Sequence, residues 1–408
     1  MITVLGVVEE DLVEALVIHA SRVGVVHAEH GTQIYGFGDA FEPLVGSIAD
    51  ASFRMLIEQR LASIDSQVRS VRAHLAVPFD INQAATARIP QIQVTITRGV
   101  ASVLVVAADE DEGRSLFDAF LRDLEAVSAV TGDPDVLTVL QHPSPQEYAQ
   151  AVTIAKSRFD TGFDKVVLAR SMTVQLTHSA DPALILRTMA DREPFCTRYA
   201  QTLDGVRFIG ASPELLIRRS GSHFSSQPLA GTASARALVE ELIESNKDNA
   251  EHRIVVEEIV ERLDPFAETL EYPSYPEVMA LRSVIHLATR ITGTLQDSST
   301  SALDLLAAIC PTPAVSGRPI DTARSLIAEL EPVDRGFFAG AMGWMDRSGN
   351  GAFVLAIRGV FLQGDSLTAI AGAGIVADSD PQAEVAETEM KLRSILDAAA
   401  PEASTFLP

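Results

Sequence analysis

The stretch SDPQAEVAETEMK, residues 379–391, carries Glu384 and Glu387 three residues apart. On a helix, this spacing places two side chains on the same face. Asp380 followed by Pro381 matches a helix N-cap with proline at the first helical position, where early acidic residues suit the helix dipole. The stretch therefore predicts a helix whose two carboxylates either face a ligand or simply lie near its cap.

A second stretch, SNKDNAEH at residues 245–252, repeats the spacing with Asp248 and Glu251. If the two helices face each other, four carboxylates converge, and such a cluster needs a cation or suffers charge repulsion. Mg2+ is the natural candidate, because it prefers oxygen ligands and keeps several waters. Ser245 with Asp248 also matches a capping box, so capping explains each pair when it is taken alone.

Length and composition describe an ordinary globular protein. The chain has 408 residues, of which 47% are hydrophobic and 21% charged, and this length allows two or three domains. Acidic residues interrupt the apolar pattern at residues 9–14, unlike a signal peptide, and no stretch is long enough to span a membrane. We therefore expect a cytoplasmic protein, and in that reducing compartment Cys196 and Cys310 should remain thiols.

The net charge of −23 argues against two classes of partner. Such a chain repels nucleic acid and anionic membranes at long range, so we expect to find neither as a partner. It also disfavours small anionic substrates. An enzyme acting on one must place cations locally, and Lys165, Arg358, Lys391 and a metal ion would serve.

The order of the elements favours an α+β fold. The segments QIQVTITRG and ASVLVVAAD predict antiparallel strands, and later strands also come in groups rather than alternating with helices. We expect a mixed α/β protein with largely antiparallel sheets flanked by helices. A proline-bearing stretch before the capping box of Ser144 and Glu147 predicts a boundary between a variable N-terminal region, residues 1–140, which packs on the core, and a catalytic region, residues 144–400.

Two glycine-bearing segments predict turns. AGAGIV, residues 371–376, lacks the third glycine of a dinucleotide fingerprint, so its amides either approach an anionic group or merely make a turn. PLAGTA, residues 228–233, predicts a loop whose Gly231 amide and Thr232 hydroxyl bind a carboxylate, or else a tight turn.

Two titratable residues are candidates for proton transfer. Lys165 begins KVVLAR on an apolar strand face, where burial disfavours its charged form and suits a general base. The alternative is a strand-end lysine that reaches water. Glu214 in GASPELL precedes another strand and is either functional or simply solvated.

Taken together and in order, the motifs resemble those of the chorismate-utilising enzymes, the group of anthranilate, aminodeoxychorismate, salicylate and isochorismate synthases. The matching segments cover roughly the C-terminal two thirds of the chain, which is far more specific than one short motif. They are DKVVLAR, GASPELL, PLAGTA, SNKDNAEH, VIHLATRITG, PTPAVSGRP, DRGFFAGAMGW, VLAIRG, AGAGIV and SDPQAEVAETEMK. The resemblance implies the fold of that family.

The resemblance also implies a metal site. Glu251 and Glu387 match positions that bind Mg2+, with Asp248 and Glu384 in supporting roles. The ion would hold the ring carboxylate of the substrate, chorismate.

Further positions match those that contact the substrate. Lys165 matches the base that activates water for attack at C2 of the ring, and Glu214 matches the acid that protonates the departing C4 hydroxyl. His286 matches the active-site wall. The positions implied to hold the ring carboxylate are Gly231, Thr232 and Lys391, and those implied to hold the enolpyruvyl carboxylate are Arg358, Gly372 and Gly374.

Single positions separate the branches of the family. Lys165 indicates that water and not ammonia is the nucleophile, so we expect no amidotransferase subunit and a monomer. Ala230 replaces the nucleophilic lysine of the aminodeoxychorismate synthases. Ala314 and Phe338 resemble the isochorismate branch, whereas salicylate synthases tend to have threonine and tyrosine there.

The implied activity is therefore the Mg2+-dependent, reversible conversion of chorismate to isochorismate, an isomerase reaction. Two alternatives remain, which are a salicylate synthase that goes on to eliminate pyruvate and a relative that binds chorismate or metal without turnover. One departure from the branch is Cys310, which replaces its usual histidine and which we interpret as a packing change.

Overall fold

The strand that begins at Lys165 shows why this sequence builds large sheets. Residues 165–176, KVVLARSMTVQL, are rich in apolar and β-branched residues and are almost entirely buried on both faces. This strand pairs along one edge with residues 366–375, and along the other with residues 136–142 and 317–318. This long buried strand carries Lys165 into the interior of the protein.

The computed structural model describes residues 2–29, 31–64, 71–130, 132–159, 163–234 and 239–407. The strands are β1 (Ile2–Val8), β2 (Val25–Glu29), β3 (Thr32–Phe37), β4 (Leu44–Gly46), β5 (Arg72–Val77), β6 (Ala85–Arg88), β7 (Ile92–Thr97), β8 (Val100–Ala107), β9 (Val136–His142), β10 (Lys165–Leu176), β11 (Thr197–Leu203), β12 (Val206–Ser212), β13 (Leu215–Ser220), β14 (His223–Gln227), β15 (Leu229–Ser234), β16 (Ala267–Glu271), β17 (Glu277–Ala280), β18 (Val284–Ala288), β19 (Ile291–Leu295), β20 (Gly317–Arg318), β21 (Ala341–Asp346), β22 (Gly351–Leu355), β23 (Gly359–Gln363) and β24 (Ser366–Ile375). The α-helices are α1 (Val13–Val23), α2 (Ala51–Ala62), α3 (Glu110–Glu125), α4 (Pro145–Lys156), α5 (Pro182–Arg192), α6 (Val239–Glu244), α7 (Asn246–Leu263), α8 (Ala302–Ile309), α9 (Ile320–Leu330), α10 (Pro381–Ala399) and α11 (Pro401–Ser404).

These strands form two large antiparallel sheets and one small one. The first has the order β1-β8-β7-β3-β2-β11-β12-β23-β24-β10-β20, with β9 also on β10. The second has the order β16-β19-β14-β13-β22-β21-β5-β6-β4, and the third the order β15-β18-β17. The α+β prediction of largely antiparallel sheets flanked by helices is therefore confirmed.

Helices α7 and α10 lie beside the strands that carry the glycine-bearing motifs. Helix α10 packs on β24 and α4, and α7 packs on β15 and α8. Their apolar faces are buried while their acidic N-terminal turns remain near the ends of the strands. This packing places the two predicted carboxylate pairs next to the glycine-bearing strands.

The structure corrects the prediction that both glycine-bearing segments are turns. Residues 371–375 continue β24, because small residues opposite β10 allow a strand buried on both faces. Residues 229–234 form β15, and its register shifts between Ala230 and Thr232. Gly231 has φ +75°, a conformation that L side chains rarely adopt, so the predicted turn is in fact an irregularity within a strand.

Strands from the first 140 residues lie in both large sheets. β1 to β3, β7 and β8 belong to the first sheet, and β4 to β6 belong to the second. The capping box of Ser144 and Glu147 is present at the start of α4, as predicted. The division into residues 1–140 and 144–400 stays a prediction.

Among the described residues, no helix is long and apolar enough to cross a membrane.

Candidate active site

The N-terminus of α10 forms as the sequence predicts. The Asp380 side chain accepts hydrogen bonds from the amides of Gln382 and Ala383, at 3.0 and 2.9 Å. The first two turns then bury Glu384 and Glu387, which are only 1% and 8% exposed. Carboxylates this deeply buried need compensating charge, so capping alone does not explain them.

Helix α7 supplies the second pair. The Ser245 hydroxyl accepts the amide of Asp248 at 3.2 Å, and Glu251, one turn later, is 7% exposed. Burial raises the pKa of Asp248, and the charges of Glu251 and Glu387 raise it further. Because Glu387 lies on the other helix, the two acidic edges are close enough to influence each other, a point that the spacing alone left open.

Each of three buried carboxylates has a lysine beside it. The ion pairs join Lys165 Nζ to Glu251 Oε1 at 2.9 Å, Lys247 Nζ to Glu384 Oε1 at 2.9 Å and Lys391 Nζ to Glu387 Oε1 at 2.6 Å. Burial raises the pKa of Glu251, but the charges of Lys165 and Lys247 outweigh it and leave that pKa lowered. The lysines therefore supply the compensating charge in this arrangement.

The acidic side chains suit an oxygen-loving cation, although they do not form a closed metal site. In the described part of the chain, no three His, Cys, Asp or Glu side chains are arranged to hold a metal ion. Asp248 Oδ1 is buried and has no hydrogen-bond partner among these residues. Burial and the charge of Glu387 raise the pKa of Glu384 to about 7. Mg2+ prefers carboxylate oxygens, and here one such oxygen lacks a partner while Glu387 repels Glu384, so the donor set is compatible with this ion.

A cavity opens beside the acidic helices, with an empty volume of ≈ 700 Å³ that includes its open mouth. Eleven of the fifteen predicted site residues line it: Glu214, Gly231, Thr232, Glu251, His286, Ala314, Phe338, Arg358, Gly372, Gly374 and Lys391. Three others adjoin lining residues, because Lys165 contacts Glu251, Glu387 contacts Lys391 and Asp248 lies beside Gly231. The fifteenth residue, Glu384, pairs with Lys247 and, among the described residues, has no recorded contact with the lining. One cavity thus brings together segments from the whole C-terminal region.

A row of hydrogen bonds crosses one wall of the cavity. Thr232 Oγ1 lies 3.0 Å from His286 Nδ1, and Arg358 Nη2 lies 2.9 Å from His286 Nε2. Burial, and then the charge of Arg358, hold the pKa of His286 well below its usual value. Arg358 has φ +55°, which is uncommon for a residue with a side chain. The neutral histidine therefore holds the half-buried guanidinium in place, and the guanidinium can bind an anionic group.

Glu214 lies in the same cavity and is only 3% exposed. Burial raises its pKa to about 8, against the opposing effects of the Leu229 amide and of Lys165 and Lys391. At neutral pH this carboxyl group holds its proton. It is therefore suited to act as a general acid.

Close backbone approach explains the glycine at position 374. A Cβ atom there would lie 2.1 Å from Glu251 Oε1 and 3.0 Å from Lys165 Cε. At position 372, which also lines the cavity, Lys391 Nζ donates a hydrogen bond to the backbone carbonyl at 2.8 Å. Gly374 thus makes room for the ion pair of Glu251 and Lys165.

Comparison with known proteins assigns the family. Residues 75–400 match the family described as chorismate binding enzyme. The chain belongs to this family. Isochorismate synthase EntC of Escherichia coli K12 is 33% identical over 371 residues, covering 87% of this chain and 88% of EntC. Isochorismate synthase DhbC of Bacillus subtilis is 37% identical over 271 residues, covering 63% of this chain and 68% of DhbC.

A solved structure agrees with this fold. The menaquinone-specific isochorismate synthase MenF of Escherichia coli superposes with a TM-score of 0.82 and 24% identity, covering 97% of this chain and 94% of MenF. At that identity the likeness establishes the fold. The protein therefore has the architecture of the chorismate-binding enzymes.

Two residues that we expect to distinguish the branches of this family lie in the cavity wall. Ala314 and Phe338 both line it, and Phe338 is 5% exposed. Cys310 ends α8, and burial raises the pKa of its thiol to about 12. It therefore stays protonated, in keeping with a packing role for this departure from the branch pattern.

Sequence reasoning missed two residues of this site. Arg335 lines the cavity and forms a bidentate pair with Glu331, with both contacts at 2.7 Å, while it also donates to the carbonyls of Val315 and Val167. It belongs to DRGFFAG, where a single arginine predicts a charge on the protein surface. Lys247 belongs to SNKDNAEH, but only the fold shows that it reaches Glu384.

Proposed function

We propose that this protein is an isochorismate synthase that converts chorismate reversibly to isochorismate. The observation that carries the proposal is the buried Glu214, whose pKa of about 8 keeps a proton available inside the cavity at neutral pH. In the proposed reaction, Glu214 protonates the C4 hydroxyl as it leaves. The family membership and the names of the relatives EntC and DhbC support the choice of substrate and product.

Lys165 is the proposed base. Its side chain is fully buried, and it lies beside Glu251 and Gly374, which both face the cavity. From there, once its ammonium group has released a proton, the neutral amine would take a proton from the water that attacks C2 of the ring. Water enters at C2, the ring double bonds shift and the C4 oxygen leaves with the proton from Glu214, so the net result is an isomerisation.

Cations and amides of the cavity would hold the two carboxylates of chorismate. Arg358, held in place by His286, is proposed for the enolpyruvyl carboxylate, together with the backbone amides around Gly372 and Gly374. Thr232, Gly231 and Lys391 are proposed for the ring carboxylate. This local positive charge would overcome the repulsion that a net charge of −23 exerts on a dianion.

Mg2+ is the proposed cofactor, with Glu251 and Glu387 as ligands and Asp248 and Glu384 in support. When bound, the ion would neutralise the ring carboxylate of the substrate and polarise it as a Lewis acid. The unpartnered Asp248 Oδ1 and the raised pKa of Glu384 support a cation at this place.

A salicylate synthase is the alternative function. Such an enzyme would form the same intermediate and then eliminate pyruvate. The cavity wall favours an isochorismate synthase, because Ala314 and Phe338 offer no hydroxyl group to assist the elimination of pyruvate. A binding protein without turnover is disfavoured, because the proposed acid and the proposed base are both buried at one cavity. Cytoplasmic location and a monomeric state stay predictions.

The test is to incubate the purified protein with chorismate, with Mg2+ or with a chelator, and to identify the product by chromatography and NMR while assaying pyruvate. We expect isochorismate without pyruvate, and no product after chelation. Salicylate with stoichiometric pyruvate would assign the chain to the other branch. Absence of turnover with Mg2+ present would contradict the proposal.

A further inference from the structure

A second cavity lies on the face of the first sheet that α1 and α5 cover. Its empty volume is ≈ 720 Å³, including the open mouth, and it shares none of its described lining residues with the catalytic cavity. Val26 and Tyr35, which oppose each other in β2 and β3, form its floor. The proposed reaction gives this cavity no task.

The walls of the second cavity are mainly apolar. Val17 and Ile18 line it from α1, and Leu186 and Ala190 line it from α5. Pockets for small molecules are typically of this size and are lined in this way, with a few polar groups that fix the orientation of the ligand. An apolar guest would therefore find packing partners here and leave water.

Arg198 supplies the positive charge inside this cavity. It extends from β11 and lies close enough to the floor to act on the Tyr35 hydroxyl, since burial raises the pKa of Tyr35 to about 12 and the charge of Arg198 opposes that rise. The arginine is half-buried, and within the described ranges its side chain forms no hydrogen bond or ion pair. A guanidinium in this state favours a carboxylate, which it can bind through two parallel N–H donors.

The hydroxyl groups of the described lining already donate to other partners. Tyr35 donates to the side chain of Gln33, and Ser21 donates to the carbonyl of Val17 at 2.7 Å. Neither hydroxyl has a proton left for a ligand. Arg198 is therefore the group that would fix the position of a polar ligand end.

The remaining charged side chains of the lining are Glu14, Arg187 and Asp191, and all three are exposed. Water and salt screen exposed charges, so the two carboxylates do little to neutralise Arg198. The cavity thus offers one partly desolvated cation beside an apolar space. This arrangement is complementary to a molecule with one negative charge and a hydrocarbon body.

We propose that the second cavity binds a small apolar monocarboxylate, whose carboxylate group pairs with Arg198 and whose hydrocarbon part packs between α1 and α5. The site is separate from the catalytic cavity. The inference therefore does not depend on the proposed function.

The first experiment titrates the full-length protein against para-fluorobenzoate and follows the ligand by fluorine NMR. We expect a Kd of about 1 mM, as is reasonable for so small a ligand. The neutral analogue para-fluorobenzamide has the same ring and should bind at least about tenfold more weakly, because it lacks the charge. Equal affinities for the two compounds would overturn the proposal, as would no binding of para-fluorobenzoate at roughly 10 mM.

Arg198→Met tests the assigned cation. It should weaken the binding of para-fluorobenzoate at least about tenfold and change that of para-fluorobenzamide by less than about twofold. Arg187→Met is the matched control, because it removes an exposed arginine from the same cavity, and it should weaken para-fluorobenzoate by less than about threefold. Equal losses in the two variants would show a general effect of net charge and would overturn the proposal.

Ala190→Phe tests the location without removing a charge. The added ring would fill the cavity from α5, so the variant should fold and lose the binding of para-fluorobenzoate. It decides the matter if Arg198→Met does not fold. Arg358→Met tests the catalytic cavity as the alternative location. Binding that survives Ala190→Phe and disappears in Arg358→Met would place the probe in the catalytic cavity and overturn the proposal.

Discussion

The guanidinium Nη2 of Arg358 lies 2.9 Å from Nε2 of His286, and this contact sets the protonation of the ring. Arginine can only donate, so Nε2 accepts and the proton of the neutral imidazole lies on Nδ1. That proton points towards Thr232, whose Oγ1 atom lies 3.0 Å from Nδ1. The threonine accepts it, which leaves the Thr232 hydroxyl proton available to a carboxylate in the cavity.

We therefore expect His286→Ala to weaken substrate binding more than it slows the chemistry. Loss of the ring leaves Arg358 and Thr232 without their shared partner, and hydrogen bonds to charged groups contribute ~1.5–3 kcal/mol. KM for chorismate should rise about tenfold or more with a smaller change in kcat, as measured by steady-state kinetics. The exposed His178→Ala is the control and should leave KM unchanged. A fall in kcat at constant KM would contradict the assignment to binding.

The proposed acid predicts the alkaline side of the pH profile. Because the pKa of Glu214 is raised to about 8, its proton is held below that pH and lost above it, so kcat should fall as the pH rises through this value. Glu214→Gln should lower kcat by roughly 10²–10⁴-fold and should remove this limb from the residual activity. An unchanged rate in Glu214→Gln would exclude the residue as the acid.

The close approach at Gly374 predicts a steric effect on the site. In Gly374→Ala the added methyl group would meet Glu251 Oε1 at 2.1 Å, so the carboxylate and its partner Lys165 must move. We expect a loss of kcat/KM of at least about tenfold, because small displacements in an active site are costly. Gly132→Ala is the matched control, since a Cβ atom there meets nothing within 4 Å. Full activity of Gly374→Ala would show that the pair is not needed in this position.

The buried pair of Arg335 and Glu331 predicts a change in stability. The two side chains are 4% and 1% exposed, so Arg335→Met would leave a buried carboxylate unpaired at a cost of ~3–5 kcal/mol. Arg324→Met breaks a comparable ion pair with Asp80. Both of these side chains are about a third exposed, so the loss should cost less than ~1 kcal/mol. Urea unfolding of both variants measures the change in the free energy of unfolding. Equal losses in the two variants would contradict the role of burial.

The apolar wall predicts how the product is determined. The double variant Ala314→Thr, Phe338→Tyr introduces two hydroxyl groups at the cavity, where we expect them to promote pyruvate elimination. A change of ~1.4 kcal/mol between the two barriers would shift the product ratio tenfold. Pyruvate and salicylate should therefore appear beside isochorismate, and each single variant shows which hydroxyl matters. A double variant that releases no pyruvate would count against these positions as determinants.

Local pattern was sufficient for the elements that carry the acidic residues. Asp380 with Pro381 marked the start of α10, Ser245 marked that of α7, and the i, i+3 spacing predicted their acidic edges. Capping and helix periodicity depend on neighbours a few residues apart, so they can be read from the chain. The same local reasoning mistook residues 371–375 for a turn, because only the pairing of β24 with β10 makes small residues there a buried strand.

The sequence by itself determined the α+β class, the two acidic helices and, through the order of its motifs, the family. The tertiary structure decided which charges meet: Lys165 with Glu251, Lys247 with Glu384, and Arg358 with His286. It also decided that Glu214 is buried and keeps its proton. These contacts join residues far apart in the chain, and their energies depend on distance and desolvation, which no local pattern of residues encodes.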